Sequence, residues 1–180
     1  MSATIRFQDI LYCTAESKFQ TNAGTLMKIE GEISVAAPRA QVFERLRDAP
    51  FFASCVDGVS DLTAIDETHY NASFATKVAF MSFKFKVSVE MTRIVPPDEI
   101  EAKVEGTPVG IVGRLTATAS TKLSERDGGT VIAYVIDANL TGKLGSIGQP
   151  VLKSKAKEME KQFAARMAAA FESSETGTAS

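Results

Sequence analysis

A single histidine, His69, occurs in the 180 residues, which excludes any histidine cluster for metal or proton-relay chemistry. Cysteine is nearly as scarce. Cys13 and Cys55 are too few for a disulfide scaffold, and their spacing suits no metal motif. Reduced thiols in a cytoplasmic protein are expected. Neither sign of charge dominates: 20 Lys and Arg face 22 Asp and Glu, a net charge of −2. That balance gives no footprint for nucleic acid, so no nucleic-acid partner is expected. No stretch approaches the ~20 apolar residues that a membrane-spanning helix needs. Arg6, Asp9 and Glu16 interrupt the beginning of the chain, so no signal peptide is expected either. Any membrane contact is expected to be peripheral.

What the chain does have is 44% apolar and 23% charged residues, ordinary for one globular domain able to bury a substantial core. Glycines 142, 145 and 148 in "LTGKLGSIGQP" suggest a phosphate cradle. A P-loop needs a glycine five residues before its Gly-Lys pair and a hydroxyl residue after the lysine. Asp137 and Leu144 occupy those positions. The dinucleotide fingerprint fails as well. Two readings stay open: the glycines let the chain turn from one element to the next, or they gate a ligand.

Hydrophobic period organises the rest. Residues 25–38 alternate, with Met27, Ile29, Ile33 and Val35 on one side, and read as a strand. Val42, Phe43 and Leu46 then step at helical spacing. Pro50 interrupts the run, so two short helices are expected over 39–47 and 50–55. Strands follow at 58–66 and 68–79. The clearest comes next: Met81, Phe83, Phe85, Val87, Val89 and Met91 point one way, while Ser82, Lys84, Lys86, Ser88 and Glu90 point the other. Pro96-Pro97 ends it. Further strands are expected at 99–105, 111–123 and 130–141, the last two joined by a hairpin at "RDGG". One long amphipathic helix over 146–172 carries Met159, Phe163 and Met167. Residues 1–24 read as an N-terminal extension, with one added strand as an option. Residues 173–180 read as a disordered tail.

The order strand, two short helices, six strands and one long helix resembles the helix-grip fold of the START-like (SRPBCC) superfamily, an α+β fold. More narrowly it resembles the carbon monoxide dehydrogenase G-subunit family. The matching stretches are "GEISVAAPRAQVFERLRD" (31–48), "CVDGVSDL" (55–62), "VEGTPVGIVGRLTATASTKL" (104–123) and "TGKLGSIGQPVL" (141–152). In this chain Cys55-Val56-Asp57-Gly58 stands where the family usually has Cys-Ile-Pro-Gly. Some relatives carry a long C-terminal extension by which they attach to membranes, whereas a short polar tail is expected here. The resemblance implies a curved antiparallel sheet wrapped around the terminal helix, with a hydrophobic ligand between them. It also implies service to a molybdenum-containing carbon monoxide dehydrogenase or related hydroxylase, by recruitment to the inner membrane face or by delivery of a quinone-like electron acceptor. No covalent cofactor and no metal are expected.

The candidate ligand-binding set is Phe74, Met81, Phe83, Phe85, Val87, Val89, Ile132, Tyr134, Ile136, Met159 and Phe163, with Met91, Leu140 and Met167 beside them. None of these is a charged group, and methionines suit a pocket of variable filling. The same residues can equally fill a packed core. Tyr134, Tyr70 and Thr76 are the polar candidates for a ligand's head. The candidate entrance comprises Gly110, Gly113, Gly142, Lys143, Gly145 and Gly148. Catalysis is poorly supplied. Cys55 has no evident base and His69 falls in a turn. Asp57 and Asp61 could form a carboxylate pair, but in such a loop they read as turn residues that cap backbone N–H groups. Asp137 and Asn139 have outward parity. Three classes remain: a carrier of an apolar molecule, a cyclase- or dehydratase-type enzyme using the same cavity, and a ligand-free adaptor.

Overall fold

The computed structural model describes residues 24–175, with side chains described to 172. The expectations for residues 1–23 and for the end of the tail lie outside the described residues. Seven strands form one antiparallel sheet: β1 (Thr25–Val35), β2 (Val59–Ala64), β3 (His69–Val78), β4 (Met81–Val95), β5 (Glu99–Pro108), β6 (Gly113–Arg126) and β7 (Gly129–Gly142). Their spatial order is β1-β7-β6-β5-β4-β3-β2. Two short helices, α1 (Arg39–Arg47) and α2 (Ala49–Cys55), follow β1, and the long α3 (Gln149–Glu175) closes the chain. The sheet is curved, in the helix-grip arrangement.

Local chemistry explains the boundaries. Asp48 is at once the C-cap of α1 and the N-cap of α2, and its carbonyl accepts from Phe52 N–H at 2.8 Å. Pro50 has no N–H to continue α1, so the axis breaks just ahead of it. Arg126 pairs with Gly129 across Asp127-Gly128, whose φ values of 52° and 79° are both positive, as a two-residue type I′ turn requires. Gly58 (φ 85°) lies so close to the Ala75 carbonyl that any Cβ there would collide with it. α3 begins three residues later than expected because Gly145–Ile147 form a 3-10 turn and Gly148 adopts φ 89° before the helix starts.

Alternation in β4 holds from Met81 to Met91 and then slips at a bulge between Met91 and Arg93, which returns Ile94 to the inner side. Inner-face residues fall into two buried clusters. The first joins Ile33, Val35, Val42, Phe43, Leu123, Ile132, Met167 and Phe171, under α1, α2 and the C-terminal half of α3. The second joins Val78, Phe83, Phe85, Ala138, Leu140, Leu144 and Leu152, at the end where α3 begins. Thr130 is buried with them, its hydroxyl donating to the Ala37 carbonyl at 2.7 Å.

Candidate functional site

Between the two clusters the interior is not filled. A cavity of about 340 Å³ lies there. The register explains it. On the inner face Leu123 stands opposite Ile132, and Ile132 opposite Ile33, which makes one bulky row at the first cluster. Phe74 opposite Phe85 makes another at the second, where the two rings stack at 6.1 Å. The rows between them cross Ala102 and Ala119, which stand opposite each other and line the cavity. Alanine side chains leave several methylenes' worth of space beneath the helix at each crossing. α3 follows the same division. Leu152 enters the second cluster, Phe163, Ala164, Met167 and Phe171 meet the first, and Met159 reaches the cavity.

The lining is almost wholly apolar. α1 and α2 contribute Leu46, Ala49, Phe52 and Ala53; the sheet contributes Phe74, Val87, Val89, Met91 and Val104 beside the alanines. No Asp, Glu, Lys, Arg, His or Cys lines it. The hydroxyl groups on it are those of Tyr70 and Thr121. Tyr70 already donates to the Glu67 carbonyl at 2.7 Å, outside the cavity. Thr121 makes no side-chain hydrogen bond among the described residues, which leaves its Oγ1 free to donate or accept.

Of the sequence-derived ligand set, Phe74, Val87, Val89 and Met159 line the cavity, as do Met91 and Tyr70. Phe83, Phe85 and Leu140 are buried in the second cluster, and Ile132 and Met167 in the first. Phe163 packs at the margin of the first cluster, tilted against Phe52 at 5.2 Å. Met81 is exposed at its strand's end, and Ile136 and Thr76 are half-buried off the lining. Tyr134 turns toward the seam between β1 and α3. A Cβ at Gly31 would stand 2.5 Å from its hydroxyl and 2.8 Å from Glu160 Oε1, so glycine makes room for both. That hydroxyl is buried and meets no partner with hydrogen-bond geometry. Burial first, and the neighbouring Glu160 carboxylate second, push its pKa far up.

The candidate entrance residues do not border the cavity. They belong to the end of the molecule beyond the second cluster, where Leu144 is buried and closes the interior. Gly142 and Gly148 both have positive φ there, and Lys143 N–H donates to the Val112 carbonyl at 3.1 Å. In this fold the glycines therefore make the turn from β7 into α3.

The remaining candidates for chemistry are dispersed. Cys55 is buried at the end of α2, and burial pushes its thiol up, against smaller lowering effects of Ser54 and Arg166. His69 is half-exposed, its Nδ1 2.9 Å from Asp66. The Thr68 N–H, then the His69 and Thr68 side chains, hold the Asp66 carboxyl far below its ordinary range. Asp57 accepts from Arg166 at 3.0 Å, tying the end of α2 to α3, while Asp61 accepts from Ser60. Asp137 is exposed on the outer face. It shares with Asn139 and Lys28 a wider furrow of about 440 Å³ that crosses the outward side chains of β1, β7, β6 and β5. That furrow is an open trough between solvated side chains and lacks the apolar enclosure of the interior cavity. No group of three or more metal-ligating side chains occurs among the described residues. Among them, too, no helix is long and apolar enough to cross a membrane.

Thr121 and the alanines are missed when each strand is read singly. "LTATASTKL" carries the signal: its inward positions, Leu115, Ala117, Ala119, Thr121 and Leu123, are small in the middle and large at the ends.

The model of the carbon monoxide dehydrogenase G-subunit (CoxG) family matches residues 31–171. The chain belongs to the CoxG family. A conserved protein from Geobacillus kaustophilus is similar in structure at TM-score 0.75 and 26% identity, over 82% of this chain and 97% of that one. ZhuI aromatase/cyclase from Streptomyces sp. R1128 is similar at TM-score 0.59 and 13% identity, over 82% and 94%. Ara h 8.0201 is similar at TM-score 0.59 and 13% identity, over 83% and 99%. The last two establish the fold alone. No curated protein matches the sequence closely. With these neighbours, the CoxG chain is placed among helix-grip proteins.

Proposed function

We propose that this CoxG-family protein is a non-enzymatic carrier of a quinone or comparable apolar lipid, serving a molybdenum-containing, carbon monoxide dehydrogenase-like oxidoreductase in recruitment or in electron-acceptor delivery. The observation that carries the reading is the uncharged cavity under α3, held open by alanines between two packed clusters. Its volume of about 340 Å³ sits near the lower end of ligand pockets, which run from about 300 to 1,000 Å³. It suits a ring-sized head with apolar contact all round. Thr121 Oγ1 is the group placed to meet a ring carbonyl. The family description supports the partner enzyme.

An aromatase/cyclase shares the fold, but cyclisation or dehydration needs a general acid or base within reach of substrate. The lining supplies no carboxylate, imidazole or thiol for that work.

The test is mass spectrometry of lipids extracted from the purified protein, with titration of a short-chain quinone against the protein and its Ala119→Leu variant. A co-purifying or titratable quinone, lost when leucine occupies the cavity, is the expected result. Absence of any lipid together with no quinone binding would sink the carrier reading and favour a ligand-free adaptor.

A further inference from the structure

The end of the molecule beyond the second cluster has a distinct surface, independent of what the cavity holds. The β3–β4 turn, the β5–β6 loop, the β7–α3 connection and the start of β1 meet there. Val109 N–H bonds to the Lys84 carbonyl, Lys143 N–H to the Val112 carbonyl, and Thr25 Oγ1 to the Gly145 carbonyl. The β3–β4 turn, the β5–β6 loop and the start of β1 each expose an apolar side chain. Phe80 is 94% exposed, Val112 84%, Leu26 70% and Val109 53%. A phenylalanine left almost wholly in water at a hairpin tip loses the burial that stabilises most such residues.

Charge is sorted on the same axis. Segments 24–28, 76–86, 106–114 and 140–153 contain no Asp or Glu. Lys77, Arg114 and Lys143 are exposed there, and none is in an ion pair among the described residues. The turns at the opposite end carry acids: Asp66 and Glu67 between β2 and β3, Asp98 between β4 and β5, and Asp127 between β6 and β7. A nearly neutral chain is thus polarised along its strands.

We propose that this basic, apolar-tipped end docks onto an anionic lipid surface. The apolar residues stand on separate projecting tips, with Lys77 and Arg114 behind them on β3 and β6 and Lys143 just after β7. That arrangement matches shallow insertion among headgroups, with Lys and Arg reaching anionic phosphates. A protein partner would favour a contiguous packed patch with charge depleted at its centre. Docking by this end leaves the acidic turns clear of the bilayer.

The chain has no tryptophan, so Phe80→Trp creates a single fluorescent reporter at the tip. With vesicles of phosphatidylcholine and phosphatidylglycerol its emission should shift to the blue, and the shift should fade as salt is raised. Vesicles of phosphatidylcholine alone should give little shift. Ile65→Trp, exposed at the far end, should not respond. Phe80→Asp with Val112→Asp changes two side chains already in water, so its melting temperature should hold while vesicle co-sedimentation weakens roughly tenfold or more. Unchanged co-sedimentation of that variant, no blue shift, or equal binding to neutral vesicles overturns the proposal. A Phe80-dependent dimer in analytical ultracentrifugation, without vesicle binding, would give this end to a second copy and overturn it too.

Discussion

The interior under α1 and α2 and the interior at mid-helix are walled by the same sheet and the same α3, yet one is packed and the other empty. Under the short helices, Phe43, Val42 and Met167 are fully buried among Leu123, Ile132 and Ile33. At mid-helix, Ala102 and Ala119 face the cavity, and Met159 is the α3 residue that lines it. The helix cannot sag into the gap because bulky rows on either side hold it off. A cavity here is thus a matter of side-chain volume at particular crossings and needs no unusual backbone.

Breaking the packed end should have the largest effect. Phe43→Ala should cost about 3–5 kcal/mol in denaturant unfolding, since a full ring is removed where neighbours cannot collapse. The comparison is sharpest when the same substitution is made in both regions. Ala37→Leu, within the first cluster, should cost about 1–3 kcal/mol through overpacking. Ala119→Leu, over the cavity, should stay within about 1 kcal/mol of the parent or gain stability, because its extra methylenes enter open space. Equal costs at the two sites would mean that the cavity closes in solution. Phe163→Ala should fall between, at about 1–2 kcal/mol, since this ring is half-buried at the margin. The smallest effect belongs to Tyr134→Phe. It removes a buried hydroxyl whose neighbour, the Glu160 carboxylate, lies outside hydrogen-bond geometry, so the melting temperature should hold or rise slightly.

Much of this was legible in the residues. The β4 alternation, the Asp127-Gly128 turn, the Pro50 break and the 3.6-residue stripe of α3 act over neighbours in sequence, so each can be read locally. The family resemblance rests on their order. The site was legible only in part. Phe74, Val87, Val89 and Met159 follow from apolar parity, but Phe83, Phe85, Ile132 and Phe163 have the same parity and lie in or beside packed clusters. Parity tells which face a side chain occupies. It does not tell what stands across from it. The glycines from 142 to 148 illustrate the same limit: their turn chemistry is readable, but not that buried Leu144 seals the interior behind them.

What the sequence determined alone was period, turn and cap: seven strands with one oily face, two short helices and one long one. What tertiary structure decided was register. Only when the strands align do Ala102 and Ala119 meet at one cavity, and only then do Phe80, Val112 and Lys143 share one end. Distances between strands depend on pairing, and pairing is a property of the folded whole.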